Sequence, residues 1–321
     1  MLSKLRNFLR NAISTAGPSV GVEIAADGVT GAALAWVNST PKLISHVRID
    51  LPGGAIEPTA VATNMIERDV VVDAVREVLG QLPRRTTRIG LVVPDRIAKV
   101  SFVNFDEVPS RPDDLDRLVA WQVRKALPFR VEEAQLAYTP GILGGNGGRE
   151  FVVAVARRDI VEEYEEVCSA AGAYAGLVDL ATFNLVNVAV AMAPDTDSDW
   201  LLLHVARYDS TLVIMRGPDL IFFRNCPTLN ESDVSDLVHR SAMYYEDRLE
   251  GQGMGRTVLV VSADTPMASD TARQTLGERL GITVERLVSP RVTSSFNVNP
   301  IKLDSLAAPI GLVMRQRLSA A

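Results

Sequence analysis

Leu201-Leu-Leu-His-Val-Ala-Arg-Tyr-Asp-Ser-Thr-Leu-Val-Ile-Met-Arg-Gly-Pro-Asp-Leu-Ile-Phe-Phe-Arg-Asn-Cys226 consists of short apolar runs cut by two polar turns, Arg207-Tyr-Asp-Ser and Arg216-Gly-Pro-Asp. That punctuation predicts three short strands in a meander. The same pattern stands near the start of the chain: Val20-Gly-Val-Glu-Ile-Ala-Ala26, Val29-Thr-Gly-Ala-Ala-Leu-Ala-Trp-Val37 and Lys42-Leu-Ile-Ser-His-Val-Arg-Ile49. Glu23 and Thr30 are seven positions apart, as are His204 and Thr211, and each pair spans the first turn of its meander. Two meanders in matching register point to an internal duplication.

Composition sets the outer bounds. A chain of 321 residues with 47% hydrophobic and 22% charged content is a well-packed globule, long enough for two lobes or a lobe with an insertion. Its formal net charge of −6 argues against general nucleic-acid binding, which draws on a basic excess. Two cysteines, Cys168 and Cys226, supply neither a disulfide framework nor a metal cluster and read as free thiols in a reducing compartment. No apolar run approaches the roughly 20 residues that span a bilayer. The cytoplasm is therefore the expected location.

Taken in order, residues 1–14 put Leu2, Leu5, Phe8, Leu9 and Ile13 on one helical face with Lys4, Arg6 and Arg10 around it. That pattern suits an amphipathic helix on an anionic membrane surface, and equally a leader or a helix docked on its own domain. Residues 70–82 have helical spacing. Ile89-Gly-Leu-Val-Val and Ala98-Lys-Val-Ser-Phe-Val read as strands around an Asp95-Arg96 turn. Residues 113–127 form a helix with Leu115, Leu118, Val119, Gln122 and Ala126 along one side, stopped by Pro128-Phe-Arg. Residues 135–139 and 150–156 pair across Gly144-Gly-Asn-Gly-Gly, which lacks the Lys-Ser/Thr of a phosphate loop and is a hairpin turn. A helix over 159–171 closed by Gly172, a strand over 175–180 and an apolar helix over 182–192 precede the second meander. A helix, a buried strand at Val258-Leu-Val-Val, a helix over 268–280, an edge strand at Thr283-Val-Glu-Arg-Leu and a helix over 306–315 complete the chain.

This order of parts resembles the PilM family of type IV pilus assembly proteins, within the actin-like ATPase superfamily. The resemblance rests on Val20-Gly-Val-Glu-Ile, Leu127-Pro-Phe, Phe151-Val-Val-Ala-Val-Ala-Arg-Arg followed by Tyr164, and Ala170-Ala-Gly followed by Leu177-Val-Asp. Arg240-Ser-Ala-Met-Tyr-Tyr and the closing Ala308-Pro-Ile-Gly-Leu-Val-Met-Arg extend it over nearly the whole chain. The cytoplasmic domain of type II secretion platform proteins shares this architecture. The resemblance implies an α/β, actin-like (RNase H-like) duplicated fold with an inserted α+β subdomain and a reduced second-lobe cap. Residues 18–49, 158–196 and 306–321 would form the first lobe, 50–157 the insert and 197–305 the second lobe, after an N-terminal segment over 1–17. It also implies a place beneath the inner membrane, binding the short N-terminal cytoplasmic tail of a bitopic PilN-like protein between first lobe and insert. Pilus motor ATPases are further implied partners. Pro128 and Phe129 fall in the insert, either as contacts to that tail or as a helix stop with a core Phe.

In the superfamily, the first turns of the two meanders hold phosphate and magnesium with an Asp and a nearby Gly. Here the first turn has Glu23-Ile-Ala25 and the second His204-Val-Ala206, so an acid is lengthened, an oxygen ligand becomes imidazole, and both glycines gain a methyl. Thr211 keeps a downstream hydroxyl. Where a Gly-Gly pair would accept adenosine, the chain reads Ser262-Ala-Asp264 and adds a carboxylate. ATP with magnesium is implied by the resemblance and disfavoured by these residues, so the expectation is a scaffold with a degenerate nucleotide site and no metal; a working ATPase is the alternative. His204 could act as a general base only with a partner carboxylate beside it. Glu162, Glu163, Glu165 and Glu166 read as a solvated helix face.

Overall fold

The computed structural model describes residues 18–37, 40–83, 87–143, 148–192, 198–261, 273–274, 276–278, 281, 283–287 and 300–318. The amphipathic segment over 1–14, most of the helix expected over 268–280, and Asp264 lie outside the described residues.

Both meanders form as the turn punctuation dictates. The first is β1 (Val20–Ala25), β2 (Gly28–Val37) and β3 (Thr40–Asp50); the second is β9 (Trp200–Val205), β10 (Asp209–Arg216) and β11 (Asp219–Pro227). Glu23 faces Thr30 across β1–β2, and His204 faces Thr211 across β9–β10, so the matching spacings are matching registers. Each meander is extended by two parallel strands. β4 (Arg88–Val93) and β8 (Tyr174–Leu180) give the order β3-β2-β1-β4-β8; β12 (Arg256–Val261) and β13 (Val284–Arg286) give β11-β10-β9-β12-β13. Identical strand orders in the two sheets are the duplication expressed in structure.

The expected insert over 50–157 is smaller than anticipated. Ile89-Gly-Leu-Val-Val is buried and pairs in parallel with β1, so β4 is a central strand of the first sheet. Such continuous apolar runs are what a parallel strand covered on both faces requires. The helix α1 (Arg68–Gln81) packs on β2 and β3 through Val71, Val75 and Val78 and belongs to the first lobe with it. Only β5 (Ala98–Phe105), β6 (Ala134–Leu143) and β7 (Arg149–Arg157), in the order β5-β7-β6, with α2 (Pro112–Val123), form the separate small sheet. The buried side of α2 is Val119 and Val123, with Leu115 and Leu118 half-buried; Gln122 is exposed.

Beyond the insert, α3 (Arg158–Ala170) returns the chain to the first lobe, and Gly172 at φ +93° terminates it in the left-handed region open to glycine. Glu163, expected in a solvated charge run, instead accepts the backbone N–H of Asn64 at 2.8 Å and ties that loop to α3. The second lobe adds α5 (Glu231–Arg248), directly after β11.

The two sheets meet across a shared middle layer. The helix α4 (Ala181–Met192) is apolar nearly all round, which suits burial on several sides. The closing helix α6 (Pro300–Leu318) starts before the expected 306 and packs on α4, β1, β2 and β4. One core cluster joins Ala32, Leu34 and Val92 of the first sheet to Leu202, Val213 and Val258 of the second through Leu185, Val188, Leu312 and Val313 of these helices. Contact is close enough to exclude a methyl group: a Cβ at Gly311 would lie 2.0 Å from the Asn184 carbonyl oxygen, and at Gly21 2.3 Å from that of Pro309. Gly311→Ala is expected to destabilise the fold by about 1–3 kcal/mol. Gly80→Ala, with nothing within 4 Å of its added methyl, should be neutral or stabilising by up to about 1 kcal/mol. Thermal unfolding of the two variants checks the contrast.

Candidate functional site

Duplication brings the first turns of the two meanders to opposite walls of one cleft. Glu23, Ala25, His204 and Ala206 line a cavity of ≈ 30 Å³ together with Asp95 and Asp209. A neighbouring cavity of ≈ 20 Å³ adds Arg48, Asp304 and Ser305 to Glu23, Asp27 and His204. The cavities are large enough for only a few waters.

The polar centre of the cleft is Asp95, which a short 3-10 turn (Asp95–Ile97) presents immediately after β4 and Pro94. Its carboxylate is buried. One oxygen accepts the backbone N–H of Thr182 at 3.0 Å; the other accepts the Thr182 hydroxyl and, at 2.9 Å, the Thr211 hydroxyl. His204 Nδ1 lies 3.1 Å from Thr182 Oγ1 and 3.5 Å from Asp95 Oδ2. Asn225 donates to Thr211 Oγ1 at 2.9 Å and also to Asp209, so the network continues into the second lobe. Asp95 and Thr182 belong to the first lobe, Thr211 and His204 to the second. The chain through them is thus a polar bridge between lobes.

Charge in this cleft is mostly negative. Glu23 opens onto the cavities but is enclosed by protein, and burial pushes its carboxyl up to about 7, against the pull of His204. Burial, with Asp95 nearby, pushes Asp209 up to about 6. For His204, burial alone would lower the pKa; the hydrogen bond and charge of Asp95, with the charge of Glu23, outweigh it and raise the pKa. The counter-charge of Arg48 is taken by Asp27 at 2.8 Å and Asp50 at 2.9 Å. Among the described residues, no group of three or more His, Cys, Asp or Glu is placed to hold a metal ion.

Of the residues singled out in sequence, Glu23, Ala25, His204, Ala206 and Thr211 converge here, and His204 does have a carboxylate beside it. Asp95, Thr182, Asp27 and Arg48 were not anticipated. The available signal was a carboxylate just past the C-terminal end of a buried parallel strand, where sites of α/β sheets collect. Phe129 packs into the core between α2 and the small sheet, and Pro128 is exposed beside it. The opposite face of that sheet is different. Val100, Ala154 and Ala137 stand in one row across β5, β7 and β6, and Phe102, Val152 and Thr139 in the next. Ala98 and Val100 pack on the first-lobe core, while Phe102 and Ala154 are half-buried and Ala137 is exposed.

A carboxyl raised from 4.5 to about 7 stabilises the fold less once it must ionise. The folded state binds more protons than the unfolded one between these values, so the Glu23 contribution falls as pH rises through that window, by roughly 3 kcal/mol in total. Glu23→Gln is expected to unfold at a higher temperature than the parent at pH 8 and to show a shallower fall in stability between pH 5 and pH 8. Calorimetry over that range reads both.

A family model described as type IV pilus assembly protein PilM matches residues 21–229. No match was found among curated proteins. A solved PilM–PilN type IV pilus biogenesis complex is similar at 18% identity and a TM-score of 0.76, covering 94% of this chain and 99% of the other. A Bacteroides thetaiotaomicron protein of actin-like ATPase fold and unknown function is similar at 10% identity and 0.51, covering 94% and 98%. The cytoplasmic domain of EpsL, an inner-membrane component of the Vibrio cholerae type II secretion system, is similar at 9% and 0.50, covering 94% and 95%. The fold is thus actin-like, and with the family model spanning well over half of its length the chain belongs to the PilM family of type IV pilus assembly proteins.

Proposed function

We propose that the chain is a non-catalytic cytoplasmic scaffold of the pilus inner-membrane platform, docking the N-terminal cytoplasmic tail of a bitopic PilN-like protein. The observation that carries this reading is the 0.76 similarity, over nearly the full length of both chains, to a chain of a PilM–PilN type IV pilus biogenesis complex. The tail would lie along the small-sheet face that borders the first lobe. Its apolar side chains, half-buried Phe102 and Ala154 and exposed Ala137, leave room for an extended peptide, which β-edge and pocket recognition would hold.

The nucleotide site is degenerate in this reading. A triphosphate would bring its negative charge against Asp27, Asp95 and Asp209, with Glu23 beside them. Of the arginines at the cleft, Arg207 lines the larger cavity, and Arg48, in the smaller one, already serves Asp27 and Asp50. Imidazole at 204 is a poor magnesium ligand. Magnesium-ATP therefore does not fit the residues present, and no catalytic step is assigned.

Two measurements test the reading. A synthetic peptide of the cytoplasmic tail of the co-encoded bitopic protein should bind with a Kd in the micromolar range by calorimetry, and Ala137→Arg should weaken it at least tenfold without lowering the melting temperature; no binding of any such tail removes the scaffold reading. ATP with magnesium at millimolar concentration should leave the melting temperature unchanged. A saturable rise would instead report binding to the folded state and restore the ATPase alternative.

A further inference from the structure

The exposed side of α2 and its extension carries a feature that neither the cleft nor the small-sheet groove uses. Trp121 is 64% exposed, among the largest apolar side chains at the surface. Arg117, Trp121, Arg124, Lys125 and Pro128 follow at helical spacing and are all exposed. No acidic residue occurs from Arg117 to Val131, on a chain whose net charge is −6. Lys99 adds a further cation by donating to the Ala126 carbonyl at the C-terminal end of the helix, where positive charge also complements the helix dipole. Arg117 and Arg130 are partnered by Asp114 and Glu133. Among the described residues, no carboxylate lies within ion-pair distance of Arg124 or Lys125.

We propose that this ridge is a membrane-contact surface, seating Trp121 at the headgroup level of an anionic bilayer with Arg124 and Lys125 against lipid phosphates. Charge complementarity selects the partner's sign. Shape selects its kind: an indole on a convex helix, flanked by flexible cations, offers no groove for a peptide and suits a flat, deformable surface. Tryptophan has an apolar body with a polar N–H and partitions to such interfaces. Basic residues near an anionic leaflet each strengthen attraction about fivefold, an effect that salt screens. The ridge lies on the α2 side of the small sheet, away from the face that borders the first lobe, so membrane contact and tail docking would not compete.

Co-sedimentation of the full chain with phosphatidylglycerol–phosphatidylethanolamine vesicles, against phosphatidylcholine vesicles, tests this. The parent should bind the anionic vesicles, lose binding as salt rises, and show a blue shift of tryptophan emission. Arg124→Gln with Lys125→Gln should reduce partitioning on the order of 25-fold. Trp121→Phe should abolish the blue shift, because Trp200 is buried in the core and Trp36 is half-buried against it. Exposed positions make an unchanged melting temperature the expected control. Equal binding to both vesicle types, partitioning unaffected by the double substitution, or an emission shift that survives Trp121→Phe would each overturn the proposal. So would a double variant that keeps vesicle binding but loses an acidic protein partner.

Discussion

Asp95 is the carboxylate on which the relation between the lobes turns. Burying a charge is costly unless hydrogen bonds replace its hydration, and here three donors do so: the N–H and hydroxyl of Thr182 and the hydroxyl of Thr211. Two come from the lobe that carries Asp95 and one from the other lobe. Separation of the lobes would therefore leave the carboxylate short of a donor and Thr211 short of an acceptor. Removing one donor from such a buried carboxylate typically costs about 1.5–3 kcal/mol. His204, 3.5 Å away with a raised pKa, adds electrostatic attraction across the same gap.

The apolar middle layer acts in the same direction and by a different means. Leu312, Ile310 and Leu185 are almost wholly buried between the sheets, each contributing roughly 1.5–3 kcal/mol. That attraction is non-directional and would tolerate many docking angles. Glycine at 21 and 311 fixes the two helices on each other and on the first sheet, because backbone meets backbone there with no side chain between. The polar bridge then fixes what the apolar layer leaves free, the rotation of the two meander tips against each other. Adhesion comes from the helices and register from Asp95.

Much of this was legible in sequence because strands obey a period of two. Once the first turns were placed, Glu23 with Thr30 and His204 with Thr211 had to become cross-strand partners. Asp95 was not legible, since its partner Thr211 is 116 positions away and no local pattern encodes a contact at that distance. The assignment of β4 to the insert failed for a related reason. Ile89–Val93 and Ala98–Phe105 are neighbours in the chain, but Pro94 and the 3-10 turn after it carry the second strand out of the sheet. On α2 the expected face holds through Val119, but Val123, and not Gln122 or Ala126, continues it into the core.

A ligand-operated cleft needs its walls to gain contacts when the ligand arrives, and much of these walls is already satisfied within the chain. In the proposed scaffold, Asp95, Thr211, Asp209 and Arg48 are hydrogen-bonded or ion-paired, so a polyanion would have to displace Thr211 or Asp27 to reach Asp95 or Arg48. The consequence for docking is favourable. A frame held by its own side chains keeps the small sheet at a fixed angle to the first lobe, since β5 starts where the 3-10 turn carrying Asp95 ends. A peptide that finds its groove preformed loses less free energy to ordering the protein, which raises affinity without added contacts. In the proposed scaffold, a poor fit to a polyanion and a steady docking edge would both follow from the same carboxylate.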